Sequence, residues 1–318
     1  MRTEVLDRER GFPLCVRPDR ERHELLDAVR EHGSWFGDRV AEHGAVLLRG
    51  FAAPAAPEAF ADVVSLLAGR ERPLSYVHGN SPRTKVSGAN VYTSTEYPPE
   101  LAIPLHNEMS YARRWPAHLF LHCLVAPASG GRTPIADGRE FLRRLPAGVR
   151  RRFTDRGVLY LQNLHAGVGL GRSWQQTYET DDRAVVEEHL RDFEVDFEWT
   201  SGGGLRTRQR RPATVVHPGL GAEVWFNQAD QWHWSGAGPG LGAELLDLLG
   251  EDDLPTSCRH GDGSPLVLDD LVEIRRAGER SAVGFDWTPG DLLVLDNVLL
   301  AHGRQPYSGA RRILLAMS

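Results

Sequence analysis

Lysine is almost missing from this chain of 318 residues: Lys85 is the only one, and arginine supplies nearly all of the positive charge. Schiff-base catalysis would rest on that single residue, in a loop-like stretch after Pro82-Arg83-Thr84, and is set aside. Cysteine is also sparse. Cys15, Cys123 and Cys258 are odd in number and widely separated, which excludes a disulfide framework or a Cys-x-x-Cys metal site and points to a reducing compartment. No stretch approaches the roughly 18 uninterrupted apolar residues of a membrane span. Residues 1–10 are charged and lack the apolar core of a signal peptide, so a cytoplasmic protein is expected. A net charge of −6 with only short basic clusters argues against a nucleic-acid surface. Internal repeats, low-complexity tails and domain-sized composition breaks are absent, so the expectation is one domain over 1–318.

What is present reads as an ordinary globular chain, 41% hydrophobic and 25% charged. Helical spacing in 19–43 predicts an opening helix that stops near Gly44, and the apolar Ala45-Val46-Leu47-Leu48 reads as a buried strand. A helix with Pro57 in its first turn is predicted over 57–68. Five prolines and little periodicity make 71–104 a long loop. A strand over 118–125 follows, where His118 and His122 read as core or edge histidines. A Gly130-Gly131 turn then leads into a strand over 133–137, and a helix is predicted over 140–154. Residues 163–212 form a second long insertion with a helix over 182–190. Beyond it, 214–217 and 224–227 make a hairpin around Pro218-Gly219-Leu220-Gly221. Helices near 242–249 and 269–277 precede the closing strands.

The chemistry centres on Leu105-His106-Asn107-Glu108. In an extended segment, His106 and Glu108 share one face, pairing an imidazole with a carboxylate. One more histidine would complete the two-His, one-carboxylate facial set that holds non-haem Fe(II) and leaves positions open. His302 is the natural third ligand and His217 a competitor. Near His302, Gly290-Asp291 through Asp296-Asn297 and then Gly309-Ala310-Arg311-Arg312-Ile313-Leu314 read as two strands, the second opening with arginine.

These segments, with Gly44 to Phe51, Met109-Ser110-Tyr111, Gly130-Gly131-Arg132-Thr133-Pro134, Val224 to Gln228 and His302-Gly303-Arg304, occur in an order that resembles the TauD/TfdA-type Fe(II)/2-oxoglutarate-dependent dioxygenases, in their SyrP-like and clavaminate-synthase-like branch. The resemblance runs from about residue 44 to the C-terminus. It implies a mainly β fold with flanking helices around a double-stranded β-helix (jelly-roll, cupin-like) core, and lid insertions near 71–104 and 163–212 that contact substrate. It implies Fe(II) on His106, Glu108 and His302, and 2-oxoglutarate anchored by Thr133 and an arginine, with O₂ as the second cosubstrate. Of Arg311 and Arg312 only one can face the barrel interior of a strand, and Arg311, two residues before Ile313, is the choice. Arg304 is a weaker candidate for a supporting role, with a structural salt bridge as the alternative.

The expected reaction is hydroxylation of an unactivated C–H bond, with release of succinate and CO₂. The substrate would be a small molecule, an amino acid or amino-acid-derived intermediate, free or carrier-tethered. Asn90, Tyr111, Arg206 and Asn227 are its expected contacts. Desaturation, cyclisation or epoxidation with the same ligands, and a non-catalytic binding barrel, are the alternatives. Glu108 disfavours a halogenase, which leaves that position small for chloride. Leu315, standing where a second C-terminal arginine would grip a sulfonate, sets taurine-like substrates aside. The oligomeric state is left open.

Overall fold

A computed structural model describes residues 1–20, 23–69, 73–238 and 240–318. The opening helix forms over Leu25–His43, with Leu25, Ala28, Val29, Phe36 and Val40 buried on one face. It ends because Gly44 takes φ 69°, and a side chain there would press against Leu299 and Leu300 at 3.0–3.2 Å. The next helix, Pro57–Leu67, has proline in its first turn and buries Phe60, Ala61, Val63 and Val64. Both helices pack on an eight-stranded sheet whose order is Arg2–Val5, Leu14–Arg17, Ala45–Leu48, Leu292–Asp296, His118–Val125, Arg312–Met317, Val91–Thr93 and Lys85–Ser87. Its inner strands are nearly continuous apolar runs because both faces are covered.

A smaller sheet supplies the opposing layer. It runs Ala282–Val283, Ile135–Asp137, Leu300–Arg304 and Ile103–His106, all antiparallel. The main apolar cluster draws on residues of both sheets, including Leu47, Leu121, Ile135, Leu293, Leu300 and Leu315. A third sheet, Asp196–Trp199, Leu205–Arg211, Val158–Leu164 and Thr256–His260, carries a separate apolar cluster of Leu164, Trp174, Tyr178, Val186, Leu190, Val195 and Leu205. The hairpin Thr214–Val216 and Glu223–Trp225 forms as its turn residues predict.

Several expectations need correction. Helix and strand are present in nearly equal amounts, because the long connections carry helices. The 71–104 stretch is not merely a loop. Residues 71 and 72 lie outside the described residues, but Lys85–Ser87 and Val91–Thr93 extend the large sheet and Ile103–His106 joins the small one. Likewise 163–212 supplies two helices and two strands. The helix predicted over 140–154 is two, Gly138–Arg144 and Ala147–Arg156, because Pro146 cannot continue the first.

Candidate metal centre

His106 is the last residue of its strand and lies opposite His302 on the neighbouring strand. A register shift follows between His302 and Arg304, and Gly303 fills it: a side chain there would meet the Ile103 carbonyl at 2.7 Å. The two imidazole centroids are 4.4 Å apart. His106 Nδ1 donates to the Pro104 carbonyl at 2.8 Å, which leaves Nε2 as the lone-pair nitrogen. Burial lowers the pKa of both rings, that of His302 well below the ordinary value, so both are neutral and able to act as ligands near neutral pH.

Glu108 reaches the same point by another route than strand alternation. The strand ends at His106, and Glu108 stands in the turn that follows. Asn297 holds that turn. Its Oδ1 accepts from the Glu108 N–H at 2.7 Å, and its Nδ2 donates to the Glu108 carbonyl at 3.1 Å and to the Pro116 carbonyl at 2.8 Å. Asn107 donates back to the Asn297 carbonyl at 2.7 Å, while Gln228 Nε2 donates to the Asn107 carbonyl at the same distance. One ligand atom each from His106, Glu108 and His302 then lies within 4.8 Å of the others, all three residues buried. This donor set, two neutral imidazoles and a carboxylate, suits a divalent iron. His302 Nδ1 is buried with no hydrogen-bond partner among the described residues.

A cavity of about 40 Å³ adjoins the two histidines. Thr133, Arg311, Arg304, Arg83 and Leu315 also line it. Arg311 is held by a 3.3 Å hydrogen bond to Ser94 Oγ and lies over the Tyr307 ring, and its Nε is buried without a partner among the described residues. Burial pushes its pKa down to about 10, with the neighbouring Arg304 adding to the effect, so it stays cationic at neutral pH. Arg312 opens the last strand and is exposed. Thr133 Oγ1 accepts from Trp287 Nε1 at 3.1 Å, which leaves the hydroxyl proton free for another acceptor.

The other expected residues are engaged in contacts of their own. Among the described residues Arg304 forms no salt bridge; it donates to the carbonyls of Tyr97, Pro98 and Leu101 and so fastens the 97–101 segment. His217, just past the hairpin's first strand, is paired with Asp296 of the large sheet at 2.7 Å and is not part of the His106, Glu108 and His302 cluster. None of the four expected substrate contacts lines the cavity. Asn90, at φ 58°, turns the Lys85–Ser87 and Val91–Thr93 hairpin and donates to the Pro73 carbonyl. Tyr111 is fully buried, its hydroxyl shared between His78 and Asn80 backbone groups. Asn227 caps a turn by bonding Ala213 and Ala229. Arg206 sits on the third sheet, paired with Asp253 at 2.7 Å beside a separate cavity of about 590 Å³.

Sequence reasoning missed Arg83, whose Nη2 donates to Glu108 Oε2 at 2.5 Å. Nothing local to Pro82-Arg83-Thr84 signals that contact, because 25 residues separate the partners. The Asn297 and Gln228 clamps were legible only as parts of ordered motifs.

Comparison with known proteins gives a consistent result. The sequence model of the family described as taurine catabolism dioxygenase TauD, TfdA family matches residues 17–318. Dapdiamide synthesis protein DdaC of Enterobacter agglomerans is 35% identical over 278 residues, covering 87% of this chain and 83% of that protein. Clavaminate synthase-like protein At3g21360 of Arabidopsis thaliana is 33% identical over 304 residues, covering 92% and 87% respectively. Among solved structures, PvcB of Pseudomonas aeruginosa superposes with a TM-score of 0.57 at 16% identity, covering 99% of this chain and 90% of that one, a likeness of fold.

Proposed function

Because the chain belongs to the taurine catabolism dioxygenase TauD, TfdA family, we propose that His106, Glu108 and His302 hold its iron(II), and that Arg311 and Thr133 receive the far carboxylate of 2-oxoglutarate. The protein is an oxygenase enzyme that uses iron(II), 2-oxoglutarate and O₂. In this reading it hydroxylates an unactivated C–H bond of an amino acid or amino-acid-derived intermediate, free or carrier-tethered, within specialised metabolism. The 35%-identical relative is a dapdiamide synthesis protein, which supports a biosynthetic setting. The two facing sheets are read as one jelly-roll core in a single cytoplasmic domain, with 71–104 and 163–212 as its elaborations.

One observation carries the site assignment: a buried two-His, one-carboxylate cluster shares its surroundings with Arg311, a half-buried arginine that pairs with no carboxylate among the described residues. When bound, iron(II) with 2-oxoglutarate and O₂ supplies the oxidising power, converting the cosubstrate to succinate and CO₂ as oxygen enters the C–H bond. The chain supplies order. Pro104 selects the His106 tautomer, and Asn297 fixes the Glu108 turn. Arg311 presents its planar fork, which binds a carboxylate bidentately, and Thr133 can donate its hydroxyl proton because Trp287 occupies the oxygen lone pair. Leu121 and Leu315 line the same cavity and keep it from being wholly polar.

The test is an anaerobic titration of the metal-free protein with Fe(II) and then 2-oxoglutarate, following the visible charge-transfer band of the bidentate chelate. The band should appear, and vanish when Glu108 or His302 is replaced by Ala. Folded protein that shows no band under reducing conditions would overturn the proposal.

A further inference from the structure

Arg83 enters the metal centre from the lid side, yet neither the ligand set nor the cosubstrate anchor uses it. Its side chain is 3% exposed and that of Glu108 is 1% exposed, so the bond between them is sealed from solvent. The guanidinium also lies 4.6 Å from the Tyr76 ring centroid. Its backbone neighbours are pinned as well. The Ser81 N–H donates to Tyr76 Oη at 3.2 Å and the Asn80 N–H to Tyr111 Oη at 2.9 Å, while the Pro82 carbonyl accepts from Glu96 at 2.9 Å. Arg172, from the second insertion, donates to the Ser81 carbonyl. Ordering a long side chain this completely has an entropic cost that its contacts must offset.

Among the described residues, the Glu108 carboxylate has no other side-chain partner. Unrestrained, it could rotate or offer a metal either oxygen or both. With Oε2 held by Arg83, Oε1 is left to act as the ligand. Outer hydrogen bonds of this kind orient ligating carboxylates and contribute 10- to 100-fold to metal affinity as a rough range. We propose that Arg83 is a positioning residue of the metal centre, fixing Glu108 through Oε2 and coupling the lid to metal binding. This rests on the assignment of His106, Glu108 and His302 as metal ligands. Because Arg83 is carried by the 73–84 segment, moving that segment withdraws the clamp, and linkage requires bound metal to hold the segment in place by the same factor.

A different role makes the opposite prediction. If Arg83 merely neutralises a buried carboxylate, it repels an incoming dication, and its removal leaves metal affinity unchanged or improves it.

The experiment measures Mn(II) affinity of the full metal-free chain, from the free Mn(II) signal in electron paramagnetic resonance, for wild type, Arg83→Gln and Arg83→Lys. Amide exchange of peptides covering 76–84 is followed with and without Mn(II). Arg83→Gln should bind about 10- to 100-fold more weakly, with Arg83→Lys between it and wild type. Mn(II) should slow exchange in wild type and much less in Arg83→Gln. Equal or tighter binding by Arg83→Gln, or equal metal protection of its lid, overturns the inference. If Arg83→Gln does not fold, Arg83→Lys decides: at least a threefold loss supports the fork geometry, and wild-type affinity refutes it. Wild-type protein that binds no Mn(II) overturns the metal assignment itself and this inference with it.

Discussion

The small sheet that carries His106 and His302 and the sheet built around Val158–Leu164 both have four antiparallel strands, yet they place charge differently. On the Leu205–Arg211 strand, Arg206, Arg208 and Arg210 alternate with inward-facing Leu205, Thr207 and Gln209, and Arg206 and Arg208 meet Glu198 and Asp253 at the surface. Around the small sheet, Arg83, Arg304 and Arg311 lie against the cavity, and of these only Arg83 has a carboxylate partner among the described residues. Exposed pairs such as those of Arg206 contribute roughly 0–1 kcal/mol and are what a solvated strand face requires. A buried cation with unfilled donors has a desolvation penalty to offset, and a ligand carboxylate is the partner that would offset it.

That contrast can be broken most severely at the proposed metal ligands. His302→Ala should abolish Fe(II) binding and turnover, measured by anaerobic titration and succinate release; full activity in that variant would remove His302 from the centre. Next, Arg311→Gln should raise the 2-oxoglutarate requirement by about 30- to 150-fold, the equivalent of losing a charged hydrogen bond of roughly 2–3 kcal/mol, while sparing Fe(II) binding. Arg312→Gln, at an exposed position, should change it less than twofold. The reverse pattern would show that the wrong arginine faces the cosubstrate.

A third test concerns the contact between the 73–84 segment and the third sheet. His78 is fully buried beside Gln209, and burial, with His189 and Arg211 adding to it, pushes its pKa down to about 3. In the unfolded chain it takes up a proton near pH 6.5, so the stability it confers is complete above that pH. It is lost as pH falls from 6.5 towards about 3, at up to about 1.4 kcal/mol per pH unit. Urea unfolding of wild type and His78→Gln at pH 7.5 and pH 5 should show the variant losing less stability on acidification. Equal losses would mean that the imidazole is not desolvated. The smallest effect belongs to Arg206→Gln, expected to change stability by less than about 0.5 kcal/mol and turnover not at all. A marked loss of turnover would return Arg206 to the substrate site and dissolve the contrast.

Much of the fold was legible because hydrophobic period and turn chemistry are local. The Leu25–His43 helix with its Gly44 stop, the Pro57–Leu67 helix, the Ala45–Leu48 and His118–Val125 strands and the Thr214–Trp225 hairpin follow from spacing and caps. The short strands Lys85–Ser87 and Val91–Thr93 were not legible. Each has only three residues and is held by pairing across the sheet, so it leaves no pattern of its own. Asn90, Tyr111 and Asn227 misled for a related reason. A polar residue in the right segment looks the same in sequence whether its hydrogen bonds are spent on backbone or free for a ligand.

The amino-acid sequence by itself determined the chemical inventory: two histidines and a glutamate of ligand type, a pair of C-terminal arginines and the order of motifs that marks the family. Tertiary structure decided which of these atoms meet. Glu108 converges on His106 because Asn297, 189 residues away, clamps its turn, and Arg83 joins it from a segment that carries no ligand. It also decided that Arg311 lines the cavity while Arg312 is exposed, and that Arg304 is consumed by three carbonyls. The physical reason is range: helix periods, caps and turns act over a few residues, whereas ligand geometry depends on hydrogen bonds and burial between segments that only the folded chain brings together.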